Sequence, residues 1–348
     1  MQRLIIVYNP HSSKHTRIEQ EVVAPARELK GFSIGRFEVK KAPLDENAKR
    51  LARVLLDGDL VVAAGGDGTG SMALNGIIES GKDVVLAVLG YGNFNDFSRT
   101  LGYKKLEEIV ADYKSSQASG NKVKNVSYRD ARHAKPSPSH IQELYPLEAL
   151  VDGEHYRYSA CYFTVGMFAE STEIFNKEKM RKTLKSGKKS LAFSILQLAK
   201  WYFRNRHREF LPRLMMVDGK KIKENDTAEL SGAEELEYTK LNTKKQISDL
   251  IFVNGKTVAK VIRGGEWWKD KRDFWFASGR LTSFPRLIAF MVKSIFHRMP
   301  GKVSFSDVTA KFDGEQEIEI QGEGEYRKVT ASTLTVRKSD KAVRVMKK

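Results

Sequence analysis

Cysteine is almost absent. Cys161 stands alone in 348 residues, so no intrachain disulfide can form. A lone thiol suits a reducing compartment, and the cytoplasm is the expected location. Long apolar runs are also missing. The longest, such as residues 84–89 and 287–292, fall far short of the ~18 residues of a spanning helix. Residues 1–9 lack the longer apolar core and small-residue cleavage site of a signal peptide. A soluble protein is expected, with room to lie on a membrane surface. The seven histidines, His11, His15, His133, His140, His155, His207 and His297, are scattered and show no metal-cluster spacing. No Gly-x-Gly-x-x-Gly follows the first predicted strand, and no Gly-Lys-Ser/Thr loop occurs, which disfavours dinucleotide dehydrogenases and P-loop enzymes. Aromatic and basic residues around Trp201 and Trp267-Trp268 match no nucleic-acid-binding motif, so nucleic acid is not an expected partner.

Acidic residues are outnumbered. There are 60 Lys and Arg against 43 Asp and Glu, a net charge of +17. Such an excess favours polyanions: nucleic acid, anionic lipid or nucleotide phosphates. With 41% hydrophobic and 30% charged residues, the composition is that of a globular protein. The length suggests two domains.

The first ~120 residues alternate strand and helix patterns. Residues 4–8, 33–39, 60–64 and 84–89 read as strands, and 16–30, 45–56 and 71–80 as helices. This order predicts an α/β domain with a mostly parallel sheet, whose ligand site lies beyond the carboxyl ends of the strands. After about residue 122 the pattern turns to strands: 123–128, 147–151, 156–165, 214–217, 250–253 and 273–277. Asp152-Gly153 and Asp218-Gly219 are hairpin-turn signals. Residues 175–213 interrupt the strands, while 132–140 and 225–241 read as loops. The expected division is an α/β part over 1–122 and a largely β part over 123–338 with one long interruption. The tail 339–348 has room to return to the first domain.

Three turns carry the chemistry. Gly65-Gly66-Asp67-Gly68-Thr69 joins a buried strand to a helix. Its glycines allow close backbone approach, and a helix N-terminus cradles phosphate. Asp67 would repel phosphate unless magnesium or its waters lay between. Alone, the string also fits an ordinary strand–helix turn with an Asp cap. Asn9-Pro10-His11-Ser12-Ser13 follows the first strand, and the segment Gly90 to Phe97 follows the fourth.

Taken together, these turns resemble the diacylglycerol kinase catalytic domain family, which includes bacterial lipid kinases and the sphingosine and ceramide kinases. The resemblance rests on Asn-Pro-x-Ser, then Gly-Gly-Asp-Gly-Thr with Asn75-Gly76, then Gly92-Asn93-Phe94-Asn95-Asp96-Phe97-Ser98-Arg99-Thr100-Leu101-Gly102. A fainter likeness continues through Val165-Gly166, Val253-Asn254-Gly255 and Glu323-Gly324-Glu325. The chain departs from the family pattern at Asn93-Phe94, Ser71-Met72, Phe168 and Asp270-Lys271-Arg272.

The resemblance implies an ATP- and Mg2+-dependent lipid kinase acting on a hydroxyl of a membrane lipid such as diacylglycerol. It implies a nucleotide-binding domain over 1–122 packed on a C-terminal β-sandwich with a helical insertion over 123–338. It implies that Gly65, Gly66, Asp67, Gly68, Thr69, Gly70 and Ser71 cradle the phosphates, framed by Asn9 and Asn93. Asp67 would organise magnesium through water, with Asp96 assisting, and Glu325 would serve as the base. The bland reading of Glu325 is a hairpin-turn glutamate. Asp270 is a weaker candidate for a second metal site, with a solvated loop aspartate as its alternative. The expected partners are nucleotide and lipid at an anionic membrane surface, with room for a homodimer. Residues 177–213 and 280–302, basic beside apolar, are candidates for membrane contact. A non-catalytic nucleotide- or lipid-binding relative, and a kinase of a soluble hydroxyl such as NAD, stand as rival readings.

Overall fold

A computed structural model describes residues 2–118, 140–170, 199–200, 202–204, 214–222, 235–237, 249–258, 262–279, 285, 304–323 and 325–348. The expected strand at 123–128 and almost all of the loops at 132–140 and 225–241 and of the stretches 175–213 and 280–302 lie outside the described residues. Within 225–241, residues 235–237 are described and form a short strand rather than a loop, because they pair with a neighbouring strand. Among the described residues, no helix is long and apolar enough to cross a membrane.

The first half alternates β1 (Gln2–Tyr8), α1 (His15–Ile18), a π-turn (Glu19–Val23), α2 (Ala24–Ala26), β2 (Phe32–Glu38), α3 (Leu44–Ala52), β3 (Leu60–Gly65), α4 (Asp67–Ser80), β4 (Val85–Gly90), α5 (Asp96–Leu101) and α6 (Leu106–Ala118). β2, β1, β3 and β4 lie side by side in that order, all parallel. Their near-continuous apolar runs follow from burial on both faces. Successive side chains point to opposite faces. Ile5, Val7, Val61, Ala63, Leu86 and Val88 accordingly enter one core, and Leu4, Ile6, Leu60, Val62, Val85 and Ala87 the other. Gly76 lets α3 and α4 pack closely, because a Cβ there would lie 2.9 Å from the Ala48 carbonyl oxygen.

β5 (Ile141–Leu144) leads into a second, nine-stranded antiparallel sheet. It comprises β6 (Leu147–Val151), β7 (Glu154–Ser159), β8 (Tyr162–Gly166), β9 (Leu214–Ile222), β10 (Glu235–Glu237), β11 (Asp249–Val253), β14 (Phe274–Gly279), β15 (Ser304–Gly322) and β16 (Glu325–Lys338). β12 (Thr257–Val258) and β13 (Ile262–Arg263) form a small separate ribbon. Asp152-Gly153 makes the expected β6–β7 turn, with both residues at positive φ. Asp218-Gly219 does not turn. Both residues sit inside β9, paired with β10 and β15, so ladder pairing overrides the local turn signal.

β17 (Val343–Met346) re-enters the first sheet, parallel to β4 and antiparallel to β5. The two sheets share one core: Ala160, Cys161, Tyr162, Ile251 and Trp268 pack in the same cluster as Met72, Ala73 and Leu86.

Candidate functional site

β1, β3 and β4 are neighbours, so their following turns meet at one rim of the sheet. Backbone contacts stitch the turns together. Tyr91 N donates to Gly65 O at 2.7 Å, and Lys14 Nζ reaches Gly92 O at 3.1 Å. Gly66 and Gly92 touch so closely that a Cβ on Gly92 would lie 2.5 Å from Gly66 Cα. Gly65 is equally constrained, since its Cβ would strike the Thr69 side chain.

α4 starts at Asp67 behind Gly66, and no side chain caps it. Thr69 N donates to Gly66 O at 3.0 Å, so the N–H groups of Asp67 and Gly68 and the positive end of the dipole remain for an anion. Asp67 turns away from its own helix and accepts Phe97 N at 3.0 Å. Gly70 sits under the Phe97 ring, and Ser71 is buried behind it. Asn9 shapes its turn by accepting His11 N at 2.9 Å on its side-chain oxygen. Beside it opens a cleft of about 390 Å³ lined by Pro10, His11, Phe37, Val39, Lys40 and Arg50 among others.

Asn95 holds the third turn. It adopts a left-handed backbone, φ 57°, which asparagine tolerates better than most residues. Its Oδ1 accepts Gly92 N at 2.6 Å and its Nδ2 donates to Gly92 O at 3.0 Å. Asn93 is exposed on this loop.

Three carboxyl groups are buried nearby: Asp67, Asp96 and Glu323. Asp67 is pushed up to about 7, first by burial and then by the charge of Asp96, against N–H groups of Phe97 and Asn95. Glu323 is also pushed up to about 7 by burial, with the Ser71 hydroxyl opposing and the charge of Asp67 adding to the rise. Its Oε1 accepts Cys161 N at 2.8 Å. Asp96 lies beneath the rim, bonded to Arg99 and, at 2.5 Å, to Thr257. A desolvated carboxyl with a second one beside it gains from a cation. Among the described residues no group of three or more His, Cys, Asp or Glu could hold a metal. That donor set suits magnesium bound through one carboxylate, water and phosphate oxygens.

Glu325 begins β16 and reaches the same rim from the second sheet. A Cβ on Gly68 would lie 3.9 Å from Glu325 Cγ. Its Oε2 accepts Arg157 Nη1 at 2.6 Å, while Arg157 Nη2 binds Asp45 Oδ1 at 2.6 Å. Glu325 thus lies against the first turn of α4, the turn that begins with Asp67.

Asp270 belongs to a different neighbourhood. Its Oδ1 accepts Arg272 N at 2.8 Å and Asp273 N at 3.3 Å. Beside it is the buried ammonium of Lys338, which donates to Tyr145 O, Trp267 O and Asn254 Oδ1. Burial pushes Lys338 down to about 7, while Asp270 and Asp273 raise it.

Lys14, Asn95, Arg157 and Glu323 are absent from the sequence-based site. Lys14 and Asn95 lie within or next to two of the singled-out turns. Glu323 is two residues from Glu325. Arg157 carries no local signal.

The diacylglycerol kinase catalytic domain family matches residues 3–126. A diacylglycerol kinase of Staphylococcus carnosus is 34% identical over 102 residues, covering 29% of this chain and 33% of that protein. One from Bacillus subtilis is 33% identical over 111 residues, covering 32% and 36%. The matched stretch spans about a third of these curated relatives. A diacylglycerol kinase structure from Bacillus anthracis superposes with TM-score 0.54 at 12% identity, covering 100% of this chain and 97% of that one. A second Bacillus anthracis structure bearing that family's name gives 0.59 at 15%. At such identity these show the fold alone. Residues 3–126 thus carry the sequence match to the diacylglycerol kinase catalytic domain family, and the glycine-built rim lies within them.

Proposed function

We propose that the protein is a lipid kinase that transfers the γ-phosphoryl group of ATP to a hydroxyl of a membrane lipid such as diacylglycerol, the substrate named in its relatives. One observation carries the reading: Glu325, from the far end of the chain, lies against the helix turn that begins with Asp67.

Phosphoryl transfer depends on positioning and charge neutralisation more than on covalent chemistry by the protein. Residues 65–71 hold the phosphates at the N-terminus of α4, and Lys14 adds a positive charge beside Gly92. Asn9 and Asn93 border the nucleotide, whose base faces the cleft between Pro10 and Val39. Asp67 would hold magnesium through water, and the bound ion would neutralise phosphate charge. Asp96 supports Asp67 from below rather than touching substrate. Glu325 takes the proton of the lipid hydroxyl as its oxygen bonds to the γ-phosphorus. The bond to the β–γ bridging oxygen breaks, and ADP leaves. In this reading Asp270 faces Lys338 rather than a metal. The net charge of +17 supports an anionic membrane surface as the place of work.

The test is incubation with labelled ATP, magnesium and a total lipid extract, followed by identification of labelled lipid. Wild type is expected to label a lipid and Glu325→Gln to lose that label. A wild-type protein that transfers no label to lipid refutes the reading.

A further inference from the structure

The proposed base is ion-paired, an unexpected state for a group that must accept a proton. Arg157 is 5% exposed at its side chain, and its guanidinium grips two carboxylates at 2.6 Å each, Glu325 and Asp45. Burial opposes the charge of Arg157, and Glu325 and Asp45 outweigh it, so its pKa is raised. The β6–β7 register slips between Ala149 and Leu150, with Arg157 opposite Ala149 and His155 opposite Leu150. Such a bulge re-aims the side chains next to it. Arg327 fastens Asp45 a second time, at 2.9 Å.

The four residues come from three elements, two strands of the second sheet and a helix of the first half. Arg157 lies on β7, Glu325 and Arg327 on β16, and Asp45 in the first turn of α3. α3 packs on α4, whose first turn forms the phosphate cradle. The network therefore registers Glu325 against that cradle. Arg157 holds Oε2 of Glu325, and among the described residues Oε1 has no hydrogen-bond partner, which leaves it to take a proton.

We propose that Arg157 is a positioning residue for phosphoryl transfer, fixing the Glu325 carboxylate over the first turn of α4 by pairing with it and with Asp45 at once. The inference rests on the kinase reading. In a loose transition state the new bond to the nucleophile is little formed, so the hydroxyl has gained little acidity. Base strength then matters less than placement, and misplacement by ~1 Å costs on the order of 10²-fold.

The experiment compares wild type, Glu325→Gln, Arg157→Lys, Arg157→Ala, Asp45→Asn and the Arg157→Ala/Glu325→Gln double variant. Each is assayed with labelled ATP, magnesium and total lipid extract in detergent micelles. Binding of a fluorescent ATP analogue and thermal melts report the fold. Arg157→Ala should lower kcat by about 10²-fold with KM for ATP within about twofold. Arg157→Lys, which keeps the charge without the planar fork, should recover part of that loss. Asp45→Asn should lose several-fold. The double variant should fall little below Glu325→Gln, since the two residues act as a unit. Should Arg157→Ala not fold, Arg157→Lys and Asp45→Asn decide the matter through the same split of kcat from KM. Wild-type kcat in Arg157→Lys and Asp45→Asn, or a raised KM with kcat unchanged, overturns the proposal while the kinase reading stands. Absence of lipid labelling by wild type overturns the kinase reading itself.

Discussion

Gly66 and Gly92 meet backbone to backbone, and neither has space for a side chain. A Cβ on Gly66 would come within 3.2 Å of Gly92 Cα, and one on Gly92 within 2.5 Å of Gly66 Cα and 2.9 Å of Asn95 Oδ1. The contact sets the distance between the turns after β3 and β4, and with it the width of the phosphate cradle.

Gly92→Ala should force those turns apart. Overpacking of this kind costs about 1–3 kcal/mol. The expected outcome is a melting temperature lowered by a few degrees and ATP-analogue affinity weakened about tenfold, a difference of ~1.4 kcal/mol. A titration of the analogue beside a melt checks both. Unchanged affinity would show that the cradle does not hold the phosphates.

Asp67→Asn tests the cation requirement. The exchange is nearly isosteric, and its side-chain oxygen can still accept Phe97 N. Removal of one preorganised electrostatic group costs ~10²–10³-fold in turnover. Lipid labelling should drop by at least that lower figure, with the melting temperature at pH 8 no lower than wild type. Retained turnover would take Asp67 out of the reaction.

Asp67 and Glu323 also make stability depend on pH in metal-free buffer. Both carboxyls are pushed up to about 7 by burial and by neighbouring charge. Between their ordinary values near 4 and about 7, the folded protein binds more protons than the unfolded chain. Stability must therefore fall as pH rises through that window. The penalty is absent below pH 4 and complete above about 7. Glu323→Gln should flatten the fall and stabilise the protein at pH 8 by about 1–3 kcal/mol, on the scale of ~1.4 kcal/mol per pKa unit. Melts from pH 5 to 8 measure it, and a parallel pair of curves would refute it.

The parallel sheet was legible because its strands are apolar almost without interruption. Leu60 to Ala64 and Val85 to Leu89 feed both faces of one sheet, so each reads as a strand without help from distant residues. The rim was legible because glycine is demanded where backbones touch. The rest depends on contacts far apart in sequence. Arg157 sits in a strand like many surface arginines, and only the slipped β6–β7 register and the turn at Glu323 bring it to Glu325. Asn95 owes its importance to a left-handed backbone, a property that its letter does not reveal. Asp218-Gly219 misled because two ladder partners outweigh a turn preference. Lys338 stands among Arg337, Asp340 and Lys341 with no local mark of burial, yet it is 7% exposed.

That lysine yields the last prediction. Lys338 ends β16, just before the chain crosses back to β17 in the first sheet. Its three ammonium protons meet three oxygens: Tyr145 O at 3.0 Å, Trp267 O at 2.8 Å and Asn254 Oδ1. Tyr145 lies between β5 and β6, Asn254 follows β11, and Trp267 precedes β14. One cation thus ties the β5–β6 crossing at Tyr145 to the loops after β11 and before β14. Lys338→Met keeps the stem and removes the donors. Tyr145 O keeps Asn254 Nδ2 and Trp267 O keeps Asp270 N, so Asn254 Oδ1 is the oxygen left without a partner. One such buried group costs roughly 1–3 kcal/mol, and a loss on that scale in urea titration is expected. A chelator should leave the melting temperature of the nucleotide-free wild type unchanged, because the positive charge beside Asp270 belongs to the chain. If instead chelation lowered it as far as Lys338→Met does, a metal would be carrying that junction and the role given to the ammonium would be wrong.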